Sequence, residues 1–355
     1  MGLFDDALKD SESLFRDEIA LDSDFQPPKI SFRENENQYI AECIKPLLKK
    51  RSGKNLFVTG SPGIGKTVAT KLVLLELEQK GLDEDIYSLY VNCWKKDTAH
   101  KIVLEICNQL GYRFILNKTT EQLITEVSKL LNKKSVVLVL DEIDKLDKEA
   151  TSVLYSLLED IYRKTIILIT NSKDFLSEID QRIFSRLVPE TLEFKPYNFD
   201  ETKEILRERI EYAFVPKIFS SEALETIAKK TFELGDIRAG LYFLKEAGNV
   251  AERGLKRSID IGDAHEALSK LSEFKDKEES EFGDEENKLL EFIKNNSGKT
   301  AKEIHQVYNK ELAYRTFSRY LERLEKSRAI SIKRENFGES RNRVVFFGSK
   351  SLKGF

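Results

Sequence analysis

The segment GSPGIGKT at residues 60–67 joins a glycine-rich turn to a lysine and a hydroxyl. Gly60, Ser61, Pro62, Gly63, Ile64, Gly65, Lys66 and Thr67 satisfy the pattern G-x-x-x-x-G-K-[ST]. Glycines at such positions let successive backbone N–H groups converge on phosphate oxygens, where a Cβ would crowd them. The run NLFVT before the loop reads as a strand, and the residues after it read as a helix. That helix adds the positive end of its dipole to the anion site. Lys66 is then placed to reach the β and γ phosphates of a nucleotide, and Thr67 to ligate Mg2+. A merely structural glycine turn is the alternative, and the full pattern in its strand–helix context stands against it.

A second apolar run, VVLVLDEID, delivers Asp141 and Glu142 at a strand end, where ligands sit in an open parallel sheet. Asp141 is suited to hold the metal through water. Glu142 is suited to orient and polarise a water that attacks the γ phosphate. Asp144 in the same run reads as a helix cap or a surface acid. A third run, ILITNS, ends in Asn171, whose amide is placed to bond the γ phosphate or the water. A strand-end Asn is otherwise a turn former.

These residues need a scaffold, and the hydropathy pattern supplies one. Strand-like runs at 55–60, 86–93, 135–143, 165–172 and 191–197 alternate with helical periodicity. Strands apolar on both faces and separated by helices indicate a parallel sheet covered on both sides. From Asp200 to about Phe274 only helical patterns appear, several opening on Ser or Asp caps. The acidic run 272–286 reads as a linker or a solvated helix end. Three helical segments and two β-like runs follow, ISIKR and RVVFFG, in the winged-helix order. The expected division is an α/β nucleotide-binding domain at 1–199 with an N-terminal extension, a helical lid at 200–275, and a winged helix at 276–355.

The 355-residue chain carries a formal net charge of −3 but distributes it unevenly. Residues 1–36 hold 4 Lys/Arg against 10 Asp/Glu, and residues 287–355 hold 16 against 7. The basic end points to an anionic partner. In LAYRTFSRYLERLEKSRA, Leu312, Phe317, Leu321 and Leu324 fall near helical spacing and should face a core. Tyr314, Arg315, Ser318, Arg319 and Arg323 lie largely off that stripe, as in a recognition helix for the major groove of double-stranded DNA. Arg341 and Arg343 in the hairpin are offered to the backbone or the minor groove. A solvated amphipathic helix, or a winged helix that binds protein, is the competing reading. Three scattered His and the unpaired spacing of Cys43, Cys93 and Cys107 argue against a metal knuckle or a disulfide framework. The sequence shows no signal peptide and no apolar run long enough for a membrane span, so a cytoplasmic, nucleoid-associated protein is expected.

In order along the chain, PPKISFRENE, NLFVTGSPGIGKT, YVNCWKKDTAHKIVLEICNQLG, VLVLDEIDKL, LITNSKDF, QRIFSRLVPETLEFKPYNFDETKEIL and GDIRAGLYFLKEAGNVAE resemble the AAA+ ATPases. Within them, the YVNC…NQLG and GDIRAG segments resemble the archaeal Orc1/Cdc6 replication initiators over most of residues 20–260. The resemblance implies that Asn171 is the sensor 1 residue and that Arg238 is sensor 2, reaching from the lid to the γ phosphate. It implies that Arg186 is an arginine finger for a neighbouring subunit, with Arg182 one turn earlier as a competitor. It sets Ser31–Glu34 near the adenine and a DNA-contacting insertion between Leu110 and Leu131, where basic residues are sparse. The function it implies is an initiator that binds ATP or ADP with Mg2+ and recognises origin duplex. Such a protein helps load the replicative helicase, beside other initiator subunits, and hydrolyses ATP slowly as a regulatory switch. A nucleotide-responsive transcription regulator of the same family is the alternative. A STAND-type ATPase and a clamp-loader subunit fit the C-terminal end less well.

Overall fold

The computed structural model of the chain describes residues 13–146, 148–270, 284–308, 312–326, 329–337 and 340–347. Its contacts divide into two compact units, the first ending at Ser269 and the second beginning at Lys270.

The first unit is built on five parallel strands: β1 (Leu56–Thr59), β2 (Ile86–Asn92), β3 (Ser135–Asp141), β4 (Lys164–Ile169) and β5 (Glu190–Glu193). Their order across the sheet is β2-β3-β4-β1-β5. Every residue of β1 and β3 is buried, as expected for strands covered on both faces. Alternation assigns each face its own layer. Val136, Leu138 and Leu140 of β3 pack into the core made with helices Ala99–Gln109, Thr120–Leu131 and Lys148–Asp160. Val137 and Val139 pack into the opposite core, with Ile40, Ile44 and Leu47 of helix Glu34–Leu48 and Val73 of helix Lys66–Gln79. β5 is four residues long with a half-exposed pattern, which closes one edge of the sheet.

Four helices follow β5: Phe199–Ala213, Ser221–Leu234, Ile237–Arg253 and Ile261–Ser269. Each of the first three opens on a side-chain cap. Asn198 and Glu201 form a reciprocal capping box, Ser220 accepts from the Ala223 N–H, and Asp236 accepts from the Arg238 N–H. The helices cross closely at Gly240, where a Cβ would stand 2.7 Å from Thr231 Oγ1 and 2.8 Å from Leu206 Cδ2. Residues 14–31 run over this helical layer. The Leu14 N–H donates to Glu252 at 2.8 Å, the Arg16 N–H to the Ala213 carbonyl at 2.8 Å, and Arg209 Nη1 to the Ala20 carbonyl at 3.1 Å.

The second unit holds helices Asp284–Asn295, Ala301–Tyr308 and Tyr314–Lys326, with strands β6 (Lys299–Thr300), β7 (Ile330–Phe337) and β8 (Ser340–Phe347). The sheet is antiparallel in the order β6-β8-β7. Leu289, Ile293, Ile304, Phe317, Leu321, Leu324 and Val345 form its core, and Leu312 packs against them. The two expected β-runs are longer than read, and β6 is an added strand that the sequence did not signal. Of the acidic run 272–286, residues 272–283 lie outside the described residues. Glu286, expected as part of a solvated stretch, is buried within a helix.

Candidate functional site

Adjacent strands β3, β4 and β1 bring three sequence-distant segments together at their carboxyl ends. β1 leads into the loop 60–65, β3 ends in Asp141, and Asn171 follows β4. The loop turns through Gly60, Gly63 and Gly65 at φ of 147°, 69° and 90°, values that L side chains rarely adopt. Helix Lys66–Gln79 starts directly after it, so its first N–H groups face the loop.

Lys66 is buried, and its ammonium is held at three points. Nζ donates to the Gly60 carbonyl at 2.8 Å, the Ser61 carbonyl at 2.8 Å and Asn171 Oδ1 at 2.7 Å. Asn171 Nδ2 in turn donates to the Glu142 carboxylate at 3.2 and 3.3 Å. Thr67 Oγ1 donates to Asp141 Oδ2 at 2.7 Å, and the Tyr90 hydroxyl donates to the same oxygen at 2.7 Å. Lys66, Thr67, Asp141, Glu142 and Asn171 are thus brought together in one cluster. Tyr90 is a member that sequence reading did not name.

Electrostatics follow from burial. Removal from water pushes the Lys66 ammonium down to about 8, against the opposing pull of Glu142 and Asp141. Burial raises the Glu142 carboxyl, helped by the like charges of Asp141 and Asp144. A raised carboxylate is a better proton acceptor. Glu142 also sits in the left-handed region at φ 54°, a conformation uncommon for a non-glycine residue and found at functional turns. Glu142→Gln tests the role of base expected for this residue, since it keeps the shape and removes the proton acceptor. Its expected effect is a loss of ATP hydrolysis of about 100-fold or more with ATP affinity little changed. Phosphate release and equilibrium binding, measured side by side, check this, and parallel losses in both would show Glu142 to be a binding residue.

Asp144 is neither a helix cap nor a surface acid. It is half-buried, accepts from Thr170 Oγ1 at 2.5 Å and so ties the end of β3 to the end of β4.

The lid contributes the other wall. The Ile237 N–H donates to the Gly63 carbonyl at 3.2 Å, and a Cβ on Gly63 would overlap Asp236 Oδ1 at 1.8 Å. Arg238 pairs with Asp236 through Nε at 3.1 Å and Nη2 at 2.6 Å. Its charge also depresses the Lys66 ammonium, behind burial, which places it within electrostatic reach of the loop. The glycines, the buried ammonium and the Thr67–Asp141 pair fit a nucleotide phosphate chain with its divalent cation. Arg186 stands apart from this cluster. It pairs with Glu159 and lies over the Tyr155 ring, while Arg182 pairs with Asp180 at 3.0 Å. Between Leu110 and Leu131, helix Thr120–Leu131 buries Leu123, Val127 and Leu131, and the exposed apolar residues Phe114 and Leu116 precede it.

In the C-terminal unit, helix Tyr314–Lys326 carries Arg315, Ser318 and Arg319 around one recess shared with Thr316 and Glu322. Two of the other expected DNA contacts are engaged within the unit. Arg323 pairs with the buried Glu286 at 2.9 Å, and Arg343 Nη2 donates to Ser318 Oγ at 2.8 Å. Tyr314 is exposed and meets the His305 ring edge-on at 5.1 Å. The Arg341 side chain lies outside the described residues.

Comparison with known proteins bears on the family of the chain. The AAA domain model matches residues 49–175, and the Cdc6 AAA+ ATPase-type lid domain model matches 203–269. An ORC1-type DNA replication protein 1 of Sulfurisphaera tokodaii is 33% identical over 72% of this chain and 66% of its own length. An ORC1-type DNA replication protein of Cenarchaeum symbiosum is 32% identical, over 76% of this chain and 70% of its own. An ORC1-type DNA replication protein 2 of Methanosarcina acetivorans is 30% identical over 90% and 89%. The match therefore spans about two thirds of the length of the first two relatives and most of the third. The Aeropyrum pernix Orc1 protein, solved in complex with DNA, shares the fold at a TM-score of 0.78 and 24% identity, over 96% of this chain and 95% of that one. A lid of the Cdc6 type beside an AAA core, with such relatives across so much of the sequence, places this chain in the family of ORC1-type DNA replication proteins.

Proposed function

We propose that this protein is an ATP-binding replication initiator that grips origin duplex through its C-terminal unit. The observation that carries the reading is the joining of Lys66, Asn171 and Glu142, with Thr67 on Asp141, at the ends of three adjacent strands. ATP with Mg2+ would supply a phosphoanhydride and a divalent charge at these strand ends. The loop amides and Lys66 bind the phosphates. Thr67 and Asp141 would hold the cation, Glu142 would orient a water and accept its proton, and Asn171 bonds both Glu142 and Lys66. Arg238 would attract the γ phosphate from the lid, and Arg186 would serve a neighbouring initiator subunit. Because the lid touches the loop at Gly63, nucleotide occupancy alters the attitude of the lid, and hydrolysis acts as a slow switch. The replicative helicase is the expected downstream partner, at the nucleoid in the cytoplasm. Among the described residues no helix is long and apolar enough to cross a membrane. Mapping the protein's occupancy across the host genome tests the reading. Enrichment at a replication start, dependent on Lys66, is expected, and occupancy spread over many promoters would replace it with transcription regulation.

A further inference from the structure

Arg33 is 4% exposed and meets four partners at once. Its Nε donates to the Tyr197 hydroxyl at 3.0 Å and its Nη1 to Glu36 at 2.9 Å. Its Nη2 donates both to the Ile64 carbonyl, inside the phosphate loop, at 3.1 Å and to the Lys195 carbonyl at 2.7 Å. The guanidinium also lies over the Tyr197 ring at 3.9 Å. Lys195 and Tyr197 belong to the connection between β5 and the first lid helix.

That connection presses on the loop at two more points. A Cβ on Gly60 would stand 2.6 Å from the Phe194 carbonyl, and one on Gly65 would stand 3.0 Å from the Tyr197 hydroxyl. The N-terminal side of Arg33 is anchored elsewhere. Ser31 Oγ donates to Glu208 at 2.6 Å, and Lys245 pairs with Glu18 at 2.7 Å, both on lid helices. Arg33 is therefore where a lid-bound strap, the lid hinge and the phosphate loop meet.

We infer that Arg33 is a positioning residue for nucleotide: it fixes the Ile64 carbonyl, and with it the loop amides, to the hinge of the lid. The inference rests on the nucleotide reading of the loop. Its reach is that lid attitude and loop geometry are set by one planar cation. Lysine cannot replace it, because a single ammonium cannot address two carbonyls and a hydroxyl in the same plane.

The test uses the full chain with Arg33→Met, Arg33→Lys and Tyr197→Phe. Two quantities are read: amide hydrogen exchange of the segment 60–67 without nucleotide, relative to β3, and the dissociation constant for a fluorescent ATP analogue. Arg33→Met is expected to speed exchange in 60–67 about ten-fold while β3 keeps its protection, and to weaken nucleotide binding by about ten-fold. Arg33→Lys should fail to restore either. Tyr197→Phe, which deletes one oxygen and no packing, should move both by about three-fold and covers the case in which Arg33→Met does not fold. Equal acceleration in β3 and the loop would reduce Arg33 to a general stabiliser, and unchanged exchange and affinity in Tyr197→Phe would overturn the proposal. Wild-type protein that binds no ATP would sink the nucleotide reading alone, since the exchange comparison still decides whether Arg33 holds the loop.

Discussion

Lys66→Ala is expected to raise the dissociation constant for ATP by about 100-fold, the factor carried by about 3 kcal/mol of charge-assisted hydrogen bonding. The buried ammonium already sits among oxygen acceptors, bonded to two loop carbonyls and Asn171. Phosphate oxygens offer it the same chemistry with full negative charge. Equilibrium titration with a fluorescent ATP analogue checks the value, and an affinity within three-fold of wild type would remove Lys66 from the site. The same residue leaves a signature in stability measured without nucleotide. Burial lowers its folded-state pKa to about 8 from the ordinary 10.5. Between those values the unfolded chain holds a proton that the folded chain has released, so rising pH favours the folded state. The wild type should therefore gain stability relative to Lys66→Met from about pH 8 to 10.5, and carry the full cost of its buried charge below pH 8. Urea unfolding at stepped pH measures the difference. Parallel curves for the two proteins would mean that the ammonium is not desolvated.

Chemistry encoded by local spacing was legible in the sequence. The phosphate loop needs only eight consecutive residues, and the β3 carboxylates need only an apolar run that ends on time. Parallel-sheet pairing then brought loop, carboxylates and Asn171 together without further specification. Features that depend on distant partners were not legible. Arg33 reaches Ile64 and Lys195, which lie 31 and 162 positions away, and no periodicity announces such a meeting. Tyr90 reads as an ordinary strand aromatic until the β2–β3 register sets Asn92 opposite Asp141, which brings the hydroxyl of Tyr90 to that carboxylate. Asp144 looked like a surface acid because its partner, Thr170, is on another strand's end. β6 is two residues long, shorter than any hydropathy period can register.

Arg315→Ala combined with Arg319→Ala is expected to weaken duplex binding by about 10- to 100-fold and to flatten the salt dependence by about two units of slope. Sequence alone offers Arg315, Arg319 and Arg323 on the helix and Arg341 and Arg343 in the hairpin as DNA contacts. Their partners separate them. Arg323 neutralises Glu286, whose side chain is 3% exposed, and Arg343 braces Ser318. Arg315 and Arg319 are exposed, one helical turn apart, and have no ion-pair partner among the described residues. A free cation contributes its charge to counterion release, whereas a cation paired with a buried carboxylate contributes little net charge. Arg323→Ala should therefore act through folding. It removes an ion pair to a carboxylate that is buried inside the unit, so a loss of stability is expected, with the salt slope of DNA binding close to wild type. Thermal melts of the full chain and binding isotherms at several salt concentrations separate the two classes. If Arg323→Ala flattens the salt slope as much as the Arg315/Arg319 pair, without loss of stability, the helix meets DNA through a different face.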